Sequence, residues 1–423
     1  MKTIKQICEY FNIECSSTDI ISNIQNDSRH VNENSLFIAI EKGNLYVDDA
    51  LKNGAKFVIS DIDVLDLKKR LMEFCLWFYE YPTLDIDIIG ITGTNGKSTT
   101  AFYLHQLLKK SLLISNIYKG KREYFVNNTT PSPIEIVHAL LYAKNHKLKF
   151  IIMEVSSIGI KEYRVEGLLF NAIGLTNIES DHLDYHQTLE NYQMSKIDFI
   201  NDQVSLVFIS SLDKQLLSLI NRPYVLANKV KLPNIKRISD YNKKNLSLAA
   251  SIANNYIKVK KHHLRRLRLP KGRGQVICYK PRIIIDYAHT ESAFFNILNF
   301  EKSITKGRLL VIFGSGGNRD KTKRNKYGNL VKRFSDFSIV TNDNPRDENP
   351  LAIVSDIIKG NEDFFEVELD RKKAIKKIIL MANKLDTILI LGKGHETIQL
   401  VNDMKIYLSD EEEARKWKTR HLF

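Results

Sequence analysis

The chain has 423 residues, a formal net charge of +14, 43% hydrophobic residues and 26% charged residues. This length suggests two or three domains with sizeable cores, and the composition is that of a globular protein rather than a disordered or fibrous one. The positive charge would suit nucleic acid, but no nucleic-acid-binding motif accompanies the basic runs. A protein that handles several anionic small molecules carries the same charge, so we expect no nucleic-acid partner and keep that class as a distant alternative.

The cysteines and the apolar runs indicate a cellular compartment. The four cysteines are scattered without metal-type spacing, which favours reduced thiols. The first residues contain no long apolar segment of the kind that a signal peptide needs, and no apolar run approaches the ~20 residues of a membrane span. We therefore expect a cytoplasmic protein with no membrane span.

Residues 1–83 are predicted to form a small α/β domain. Strands are predicted over 31–40 and 55–60, with helices over 47–53 and 66–79. This unit has no nucleotide loop.

Residues 84–269 are predicted to form a second domain around the segment DIDIIGITGTNGKSTT (residues 85–100). Strands and helices alternate through this domain, which predicts a mostly parallel sheet with helices on both faces. The predicted strands are 86–91, 150–155, 172–177 and 205–210, and the predicted helices are 99–110, 134–145, 189–200 and 245–256.

The segment 85–100 reads as a strand, a glycine-rich turn and a helix, the layout that directs backbone N–H groups at a phosphate. Lys97 would reach the terminal phosphates, and Ser98 would offer its hydroxyl to Mg²⁺. Ile91 stands where the common P-loop pattern has its first glycine, so an ordinary strand-to-helix turn is the alternative. Three glycines beside Lys-Ser-Thr favour nucleotide binding.

Three further positions in this domain are candidates. Glu154 ends a buried-looking strand, where a carboxylate beside a phosphate loop usually serves Mg²⁺. Residues 181–186 hold two histidines and two acids, and a metal or phosphate role there competes with local capping. Lys196 lies in a predicted helix, and on the pattern alone it is a surface lysine.

Residues 270–423 are predicted to form a third, Rossmann-like α/β domain. Its predicted strands, 282–288, 308–313, 337–341, 364–369 and 387–391, each end in a polar or glycine-rich loop. Such loops carry function more often than core positions do. Arg346 could clamp a carboxylate or phosphate with two hydrogen bonds, and Glu396 could accept from an ammonium group.

In this order along nearly the whole chain, the motifs resemble those of the Mur ligase family of ATP-dependent amide-forming enzymes. They are GITGTNGKSTT, NNTTPSP, MEVSS followed by Arg164, LTNIESDHLDYH followed by Lys196, IDYAHT, FGSGGNRD, DNPR and GKGHE. The resemblance implies three domains: an N-terminal domain for a UDP-linked substrate, a central ATPase domain and a C-terminal amino-acid-binding domain. It also implies ATP and Mg²⁺ as cofactors, and we expect a monomer.

The resemblance implies a role for each matching position. The implied catalytic residues are Lys97, Glu154, His182 and Lys196, with Lys196 carbamylated by CO₂ (N6-carboxylysine). The implied magnesium ligands are Ser98, Glu154 and His182. The implied ATP-binding residues are Gly93, Thr94, Asn95, Gly96, Lys97, Ser98, Thr99, Asn245, Asp286 and His289.

The resemblance also implies the two substrates to be joined, UDP-N-acetylmuramoyl-L-alanyl-D-glutamate and meso-2,6-diaminopimelate. The implied residues for the UDP-linked dipeptide are Ser28, Asn128, Thr129, Thr130, Ser156 and Arg164. Those implied for diaminopimelate are Arg319, Asp343, Asn344, Pro345, Arg346, Gly392 and Glu396.

Three alternatives stay open. L-Lysine is the rival amino acid. Another ligase of the same superfamily, such as a folylpolyglutamate synthase, would share the phosphate loop but is disfavoured by DNPR with GKGHE. A nucleotide-dependent binding protein without chemistry is disfavoured by the intact set of Lys97, Glu154, His182 and Lys196.

Overall fold

A computed structural model describes residues 1–81, 85–202, 204–227, 232–233 and 238–418. The three-domain α/β architecture expected from the sequence is confirmed. The predicted boundary between residues 83 and 84 lies outside the described residues. The boundary after residue 269 stays a prediction, and it falls between a short helix and the first strand of the C-terminal sheet. Within the described ranges, no helix is both long enough and apolar enough to cross a membrane.

The N-terminal domain is built on a small parallel sheet of order β3-β4-β5, with an antiparallel pair β1-β2 beside it. Its strands are β1 Lys2–Thr3, β2 Ile20–Ile21, β3 Asn23–Gln25, β4 Ser35–Ala39 and β5 Phe57–Ser60, and its helices are α1 Ile4–Phe11, α2 Val47–Lys52 and α3 Leu67–Phe78. The strand predicted over 31–40 begins late, because Asn32 and Ser35 form a turn in which the Ser35 amide donates to the Asn32 carbonyl at 2.9 Å.

The central domain contains a parallel sheet of order β12-β11-β10-β6-β9-β7-β8 among the described residues. Its strands are β6 Asp87–Thr92, β7 Ser111–Ser115, β8 Glu123–Phe125, β9 Phe150–Val155, β10 Phe170–Leu175, β11 Val204–Ile209 and β12 Tyr224–Leu226. Its helices are α4 Lys97–Leu107, α5 Pro133–Asn145, α6 Ser157–Lys161, α7 Leu183–His186, α8 Leu189–Asp202, α9 Lys214–Ser218, α10 Asp240–Asn254 and α11 Lys261–Arg265.

The strand β6 lies at the middle of this sheet, between β9 and β10. Ile88 packs into one hydrophobic cluster and Ile89 and Ile91 into another, as expected for a strand covered by helices on both sides. Because all three strands are parallel, their carboxyl ends meet at one edge. The loops after β6, β9 and β10 therefore converge, which is where open α/β sheets bind their ligands.

The C-terminal domain has a mixed sheet of order β13-β14-β18-β15-β16-β17, in which only the β13–β14 pairing is antiparallel among the described strands. Its strands are β13 Gln275–Tyr279, β14 Arg282–Asp286, β15 Leu309–Phe313, β16 Phe337–Val340, β17 Phe365–Val367, β18 Thr387–Leu391, β19 Ile398–Val401 and β20 Met404–Tyr407. Its helices are α12 Glu291–Ile304, α13 Thr322–Phe334, α14 Pro350–Ile358, α15 Arg371–Met381 and α16 Asp410–Lys418.

Two features of this domain differ from the sequence expectation. The strand predicted over 364–369 is shorter, because residues Glu362–Phe364 form a 3₁₀ turn and β17 lies at the sheet edge. The antiparallel hairpin β19–β20 was not predicted. It matters for the site, because the backbone of Arg346 pairs with it: the Arg346 amide donates to the Leu400 carbonyl at 3.1 Å.

Candidate active site between the central and C-terminal domains

The phosphate loop joins β6 to α4 and is shaped by two glycines. Gly93 has φ 131° and Gly96 has φ 89°, both in the region that favours glycine. A Cβ atom at Gly93 would lie 2.0 Å from Thr176 Oγ1, and one at Gly96 would lie 2.3 Å from Asn245 Oδ1. The loop is therefore pressed against the end of β10 and against α10, and larger residues would displace it.

Lys97 begins helix α4 and is held by its own loop. Its Nζ donates to the carbonyl oxygens of Gly93 at 2.9 Å and of Thr94 at 2.8 Å. Burial lowers the pKa of Lys97, while the nearby carboxylates of Glu154 and Asp181 oppose that effect. A cation is thus held at the mouth of the loop, at the start of a helix that favours anions.

Ser98, Glu154 and Arg273 meet beside this lysine. The Ser98 hydroxyl donates to Glu154 Oε2 at 3.0 Å, and Arg273 Nη2 approaches Ser98 Oγ at 3.4 Å. Glu154 is 5% exposed, and burial raises its pKa against the opposing charges of Lys97 and Arg273. The oxygen atoms of Ser98 and Glu154 therefore lie close to the cationic side chains of Lys97 and Arg273, as expected of a site for a metal–phosphate complex.

His182 follows β10 in a left-handed conformation with φ 51°. Its Nε2 lies 3.5 Å from Asp181 Oδ2, and the same carboxyl accepts from Lys323 Nζ of the C-terminal domain at 2.9 Å. Burial lowers the pKa of His182 to about 4 even with Asp181 beside it. Its imidazole is therefore neutral near pH 7 and can act as an acceptor or ligand.

Lys196 is not the surface residue that its sequence context indicates. It lies on α8 with a 1% exposed side chain, and its Nζ lies 4.7 Å from the centre of the Tyr192 ring. Burial, aided by the charge of Lys97, lowers the pKa of Lys196 well below its ordinary value. The surface interpretation is wrong because α8 packs this face against the domain core.

A cavity of about 530 Å³ lies between the central and C-terminal domains and is lined by the phosphate loop, Glu154, His182 and Arg273, whereas Lys196 is not among its lining residues. It brings together most of the sequence-predicted ATP and dipeptide residues. Those that line it are Thr94, Asn95, Gly96, Lys97, Ser98, Thr99, Asn128, Thr129, Thr130, Glu154, Ser156, Arg164, His182, Asn245, Asp286, His289 and Arg319.

One end of the cavity is formed by Thr130, Ser156 and Arg164. The Ser156 amide donates to Thr130 Oγ1 at 2.8 Å, and Arg164 Nη1 donates to the Thr130 carbonyl at 2.9 Å. Ser156 also caps α6 by accepting from the Gly159 amide at 3.0 Å. Ser28 lies apart from this group in the N-terminal domain, where its carbonyl accepts from Asn53 Nδ2 at 3.0 Å.

The other end is formed by Asn245, Asp286 and His289. Asn245 is buried on α10 beneath Gly96. Asp286 accepts from the Gly274 amide at 2.6 Å and from the Ala288 amide at 2.8 Å, and burial raises its pKa to about 6. Asp286 thereby connects the interdomain segment around Gly274 to the C-terminal sheet. This structural role would be additional to any contact with the nucleotide.

Apart from Arg319, which follows β15 and lines the cavity, the predicted amino-acid residues form a separate group on the C-terminal domain, after β16 and β18. Glu396 accepts from Asn344 Nδ2 at 3.0 Å, from Lys393 Nζ at 3.2 Å and from the Tyr287 hydroxyl at 3.1 Å. Burial raises the pKa of Glu396, but Lys393 and these hydrogen bonds outweigh it, so the pKa is lowered overall. Glu396 is thus held as a carboxylate.

Arg346 and its neighbours close the same group. Arg346 has φ 51°, and its Nη1 donates to the Gly317 carbonyl at 2.6 Å. A Cβ atom at Gly392 would lie 2.4 Å from Asp343 Oδ2, so this glycine lets the two loops touch. Pro345 is buried beside them, whereas Arg319 points to the cavity and contacts Asp184 at 3.2 Å.

Three residues with contacts in the site were missed by the sequence analysis. Arg273 lies in the glycine-flanked segment that we interpreted only as a boundary, and its guanidinium stacks 4.2 Å from the Tyr287 ring. Lys393 is completely buried and bonds Asn344 Oδ1 at 3.1 Å. Lys393 and Tyr287 lie inside the motifs GKGHE and IDYAHT, so the sequence marked these segments as functional. It did not indicate that these two side chains point into the site.

Comparisons with known proteins identify the family of this chain. The model of the Mur ligase middle domain matches residues 91–267, and that of the Mur ligase, glutamate ligase domain matches residues 272–394. A relative from Clostridium acetobutylicum, UDP-N-acetylmuramoyl-L-alanyl-D-glutamate--2,6-diaminopimelate ligase 1, is 32% identical, with 96% of this chain and 95% of the relative covered. A similarly named ligase from Fusobacterium nucleatum subsp. nucleatum is 34% identical, with 93% of each chain covered.

The same result comes from solved structures. The structure of a UDP-N-acetylmuramoyl-L-alanyl-D-glutamate--2,6-diaminopimelate ligase aligns with a TM-score of 0.62 and 25% identity over 100% of both chains. The fold and the phosphate loop define a three-domain, nucleotide-dependent enzyme. The chain belongs to the Mur ligase family, the ATP-dependent ligases that form an amide bond.

Proposed function

We propose that this enzyme uses ATP to join meso-2,6-diaminopimelate to UDP-N-acetylmuramoyl-L-alanyl-D-glutamate, a step in the synthesis of peptidoglycan precursors. The observation that carries the proposal is the cavity of about 530 Å³, because one continuous space contacts the phosphate loop, Glu154 and the Thr130–Ser156–Arg164 group. A terminal phosphate and an acceptor carboxylate could therefore meet there. We also propose that the enzyme acts as a monomer in the cytoplasm.

At the phosphate end, residues 93–99 would hold the phosphates of ATP through backbone N–H groups and the Lys97 ammonium. Asn245, Asp286 and His289 would contact the adenosine part. Arg273 would add a second cation to the phosphates, since it already lies 3.4 Å from Ser98 Oγ. Neutralising the charge of a transferring phosphoryl group is the main contribution a protein makes to such a reaction.

The residues present fit magnesium. The Ser98 hydroxyl and the buried Glu154 carboxylate are oxygen donors, and His182 offers a neutral imidazole. In the described part of the chain, no three His, Cys, Asp or Glu side chains converge as a metal-binding group. Mg²⁺ usually shares its coordination with substrate phosphates and water. When bound, Mg²⁺ would neutralise phosphate charge and orient the terminal phosphate.

Lys196 fits the carbamate expected from the family resemblance. A lysine must lose its proton before it captures CO₂, and the ordinary pKa of about 10.4 allows little of the free amine at pH 7. The lowered pKa of Lys196 favours the free amine, and Lys97 would offset the negative charge of the product. When present, the carbamate would supply an anionic oxygen ligand beside the terminal phosphate.

The proposed reaction has two steps. A carboxylate oxygen of the D-glutamate residue attacks the γ-phosphorus of ATP, the bond to the bridging oxygen breaks, and ADP leaves with both electrons. The free amine of the amino acid then attacks the acyl carbon, phosphate leaves, and the nitrogen loses a proton. Positioning of the two reactants by Thr130, Ser156 and Arg164 on one side and the phosphate loop on the other would supply much of the acceleration.

The choice of amino acid follows from charge. Diaminopimelate is lysine with an additional carboxylate at its far end. Arg346 could form two hydrogen bonds with that carboxylate, while Glu396, held as an anion, would accept from the ammonium. L-Lysine lacks this carboxylate and would leave the Arg346 guanidinium without a charged partner. The free-energy cost of that unpaired charge would disfavour L-lysine relative to diaminopimelate.

The test is amino-acid-dependent release of ADP and phosphate by the purified enzyme with the UDP-linked dipeptide. We expect turnover with meso-diaminopimelate and at least tenfold lower kcat/KM with L-lysine, the difference of about one charged hydrogen bond. Equal or faster turnover with L-lysine would overturn the assignment of the amino acid. No ADP release with any amino acid would overturn the ligase proposal itself.

A further inference from the structure

The tip of the phosphate loop is held by both domains through one side chain, that of Asn95. Its Nδ2 lies 3.0 Å from Glu179 Oε2 in the central domain. The same nitrogen lies 3.0 Å from Thr290 Oγ1 and 3.0 Å from Ser292 Oγ in the C-terminal domain. Thr290 Oγ1 in turn donates to Asn95 Oδ1 at 3.2 Å. An amide has two N–H groups and one strong acceptor, so the side chain of Asn95 is fully used at the domain contact.

The central domain holds the backbone of the same residue. Asn177, after β10, accepts from the Asn95 amide at 3.1 Å and donates to the Asn95 carbonyl at 3.0 Å. The central domain therefore fixes the backbone of Asn95, while both domains contact its side chain. A change in the position of the C-terminal domain would therefore change the contacts of Asn95, which precedes Lys97 by two residues.

Glu179 joins the two halves of this contact. Its carboxylate accepts from Asn95 Nδ2 and also from the Ser292 hydroxyl. Thr290 and Ser292 lie at the N-cap and in the first turn of α12, a helix of 14 residues. The positive end of the helix dipole favours a carboxylate at this place, so Glu179 attracts α12 onto the phosphate loop.

We infer that Glu179 is a positioning residue that couples docking of the C-terminal domain to the shape of the phosphate loop. Glu179 lines the cavity, where its carboxylate accepts from Asn95 and Ser292, so it would act on the phosphate loop through these two residues. The inference rests on the proposed function only for its kinetic readout. Nucleotide binding provides a readout that does not depend on which amino acid is joined.

The geometry offers a rescue experiment. Ser292 Oγ already lies 3.0 Å from Asn95 Nδ2, so an aspartate at this position could accept the bond that Glu179 accepts now. The first turn of α12 would favour that carboxylate as well. The double variant Glu179→Ser with Ser292→Asp therefore moves the carboxylate to the other domain and keeps the contact with Asn95.

The experiment measures ADP affinity by calorimetry, and kcat and KM for ATP by ADP release, in Glu179→Ala, Ser292→Ala, their combination and the rescue variant. We expect Glu179→Ala to weaken ADP binding and to lower kcat/KM for ATP by about tenfold or more, as for a lost charged hydrogen bond. The effects of the two alanine variants should be clearly less than additive, because they remove the same contact. The rescue variant should recover most of the affinity.

Glu190→Ala, at an exposed glutamate on α8, is the matched control and should behave as the wild type. Glu179→Gln, which keeps the shape and loses the charge, should fall between the wild type and Glu179→Ala, and it serves if the alanine variant fails to fold. Additive effects, or a rescue variant no better than Glu179→Ala, would overturn the inference. Absence of ligase activity in the wild type, with the same pattern in ADP binding, would instead overturn only the proposed function.

Discussion

Two lysines, Lys97 and Lys196, differ in what surrounds their ammonium groups. Lys97 donates to two carbonyl oxygens of its own loop and faces the carboxylates of Glu154 and Asp181, which support its charge. Lys196 faces the Tyr192 ring and the charge of Lys97, and burial lowers its pKa much further. Burial thus lowers the pKa of both lysines, and it lowers that of Lys196 more because fewer groups around Lys196 support a charged ammonium.

Replacing Lys196 with arginine tests this difference. Arginine keeps its proton at any working pH and cannot form a carbamate. We expect Lys196→Arg to lower kcat by about a hundredfold or more, the size of effect seen when one stabilising group is removed from a transition state. Lys214→Arg, at an exposed lysine, is the control. Wild-type activity in Lys196→Arg would contradict a role for the carbamate.

Arg346 is the residue on which the proposed choice of amino acid depends. Its guanidinium donates to the Gly317 carbonyl and is half-buried, so it is held near the loop after β15. We expect Arg346→Ala to raise the KM for diaminopimelate by roughly tenfold to a hundredfold and to leave the KM for ATP unchanged. Initial-rate measurements with each substrate varied would show this, and Arg333→Ala is an exposed control on α13.

At the scale of elements, α13 and α14 are joined by an ion cluster that supports the loop of Arg346. Arg324 on α13 is completely buried, and it donates to both oxygens of Glu348 at 2.9 Å and to Asp356 at 2.9 Å. Glu348 follows Arg346 by two residues, so the cluster fixes the loop from behind. A buried arginine left without one of its carboxylates is costly, because its charge has already lost water.

Glu348 also predicts a pH dependence of stability. Its hydrogen bonds with Arg324 lower its pKa from 4.5 to about 2. A carboxyl with a lowered pKa in the folded state stabilises the fold above its unfolded pKa, and this contribution disappears as the pH falls through the folded pKa. The window is therefore between pH 4.5 and about 2.

We expect Glu348→Gln to lower the free energy of unfolding by roughly 2 kcal/mol at pH 7, and by much less near pH 2. Urea unfolding of the variant and the wild type at both pH values measures the difference. Glu190→Gln, an exposed substitution of the same kind, should give no such difference at either pH. A loss for Glu348→Gln that is equal at the two pH values would show that its carboxylate is not the titrating group.

At the scale of the whole molecule, the segment between the central and C-terminal domains is part of the site. Arg273 in this segment approaches Ser98 of the phosphate loop and stacks on Tyr287, whose hydroxyl donates to Glu396. Two side chains therefore span from the phosphates to the amino-acid group. The two steps of the proposed reaction would therefore depend on how these domains are docked.

Removing Arg273 should change the pH dependence of activity. Its charge lowers the pKa of Glu154 and of Asp286, both of which are raised by burial. In Arg273→Ala these pKa values rise further, so we expect the acidic limb of the kcat/KM profile for ATP to move to higher pH, with a lower maximum. Lys271→Ala, an exposed cation in the same segment, should keep the wild-type profile. An unchanged acidic limb in Arg273→Ala would contradict this electrostatic role.

Local sequence patterns were sufficient for most of the framework. The strands predicted at 150–155 and 387–391 agree with β9 and β18 residue for residue. A short continuous apolar run bounded by polar residues is typical of a strand in a parallel sheet that is covered on both faces. The strands that escaped prediction are β1, β2, β3, β7, β8, β12 and β13 and the hairpin β19–β20. Most of them have only two to four residues, and pairing with a neighbouring strand, rather than a local preference, decides whether they form.

By itself, the sequence determined the order of the domains, the phosphate loop and the motifs that mark the family, because glycine spacing and apolar periodicity are local properties. The tertiary structure alone decided that Lys196 is buried, that Arg273 reaches Ser98 across a domain boundary and that Asn95 contacts both domains. These features depend on residues far apart in the chain. Burial and charge, which set their chemistry, exist only once the domains have packed.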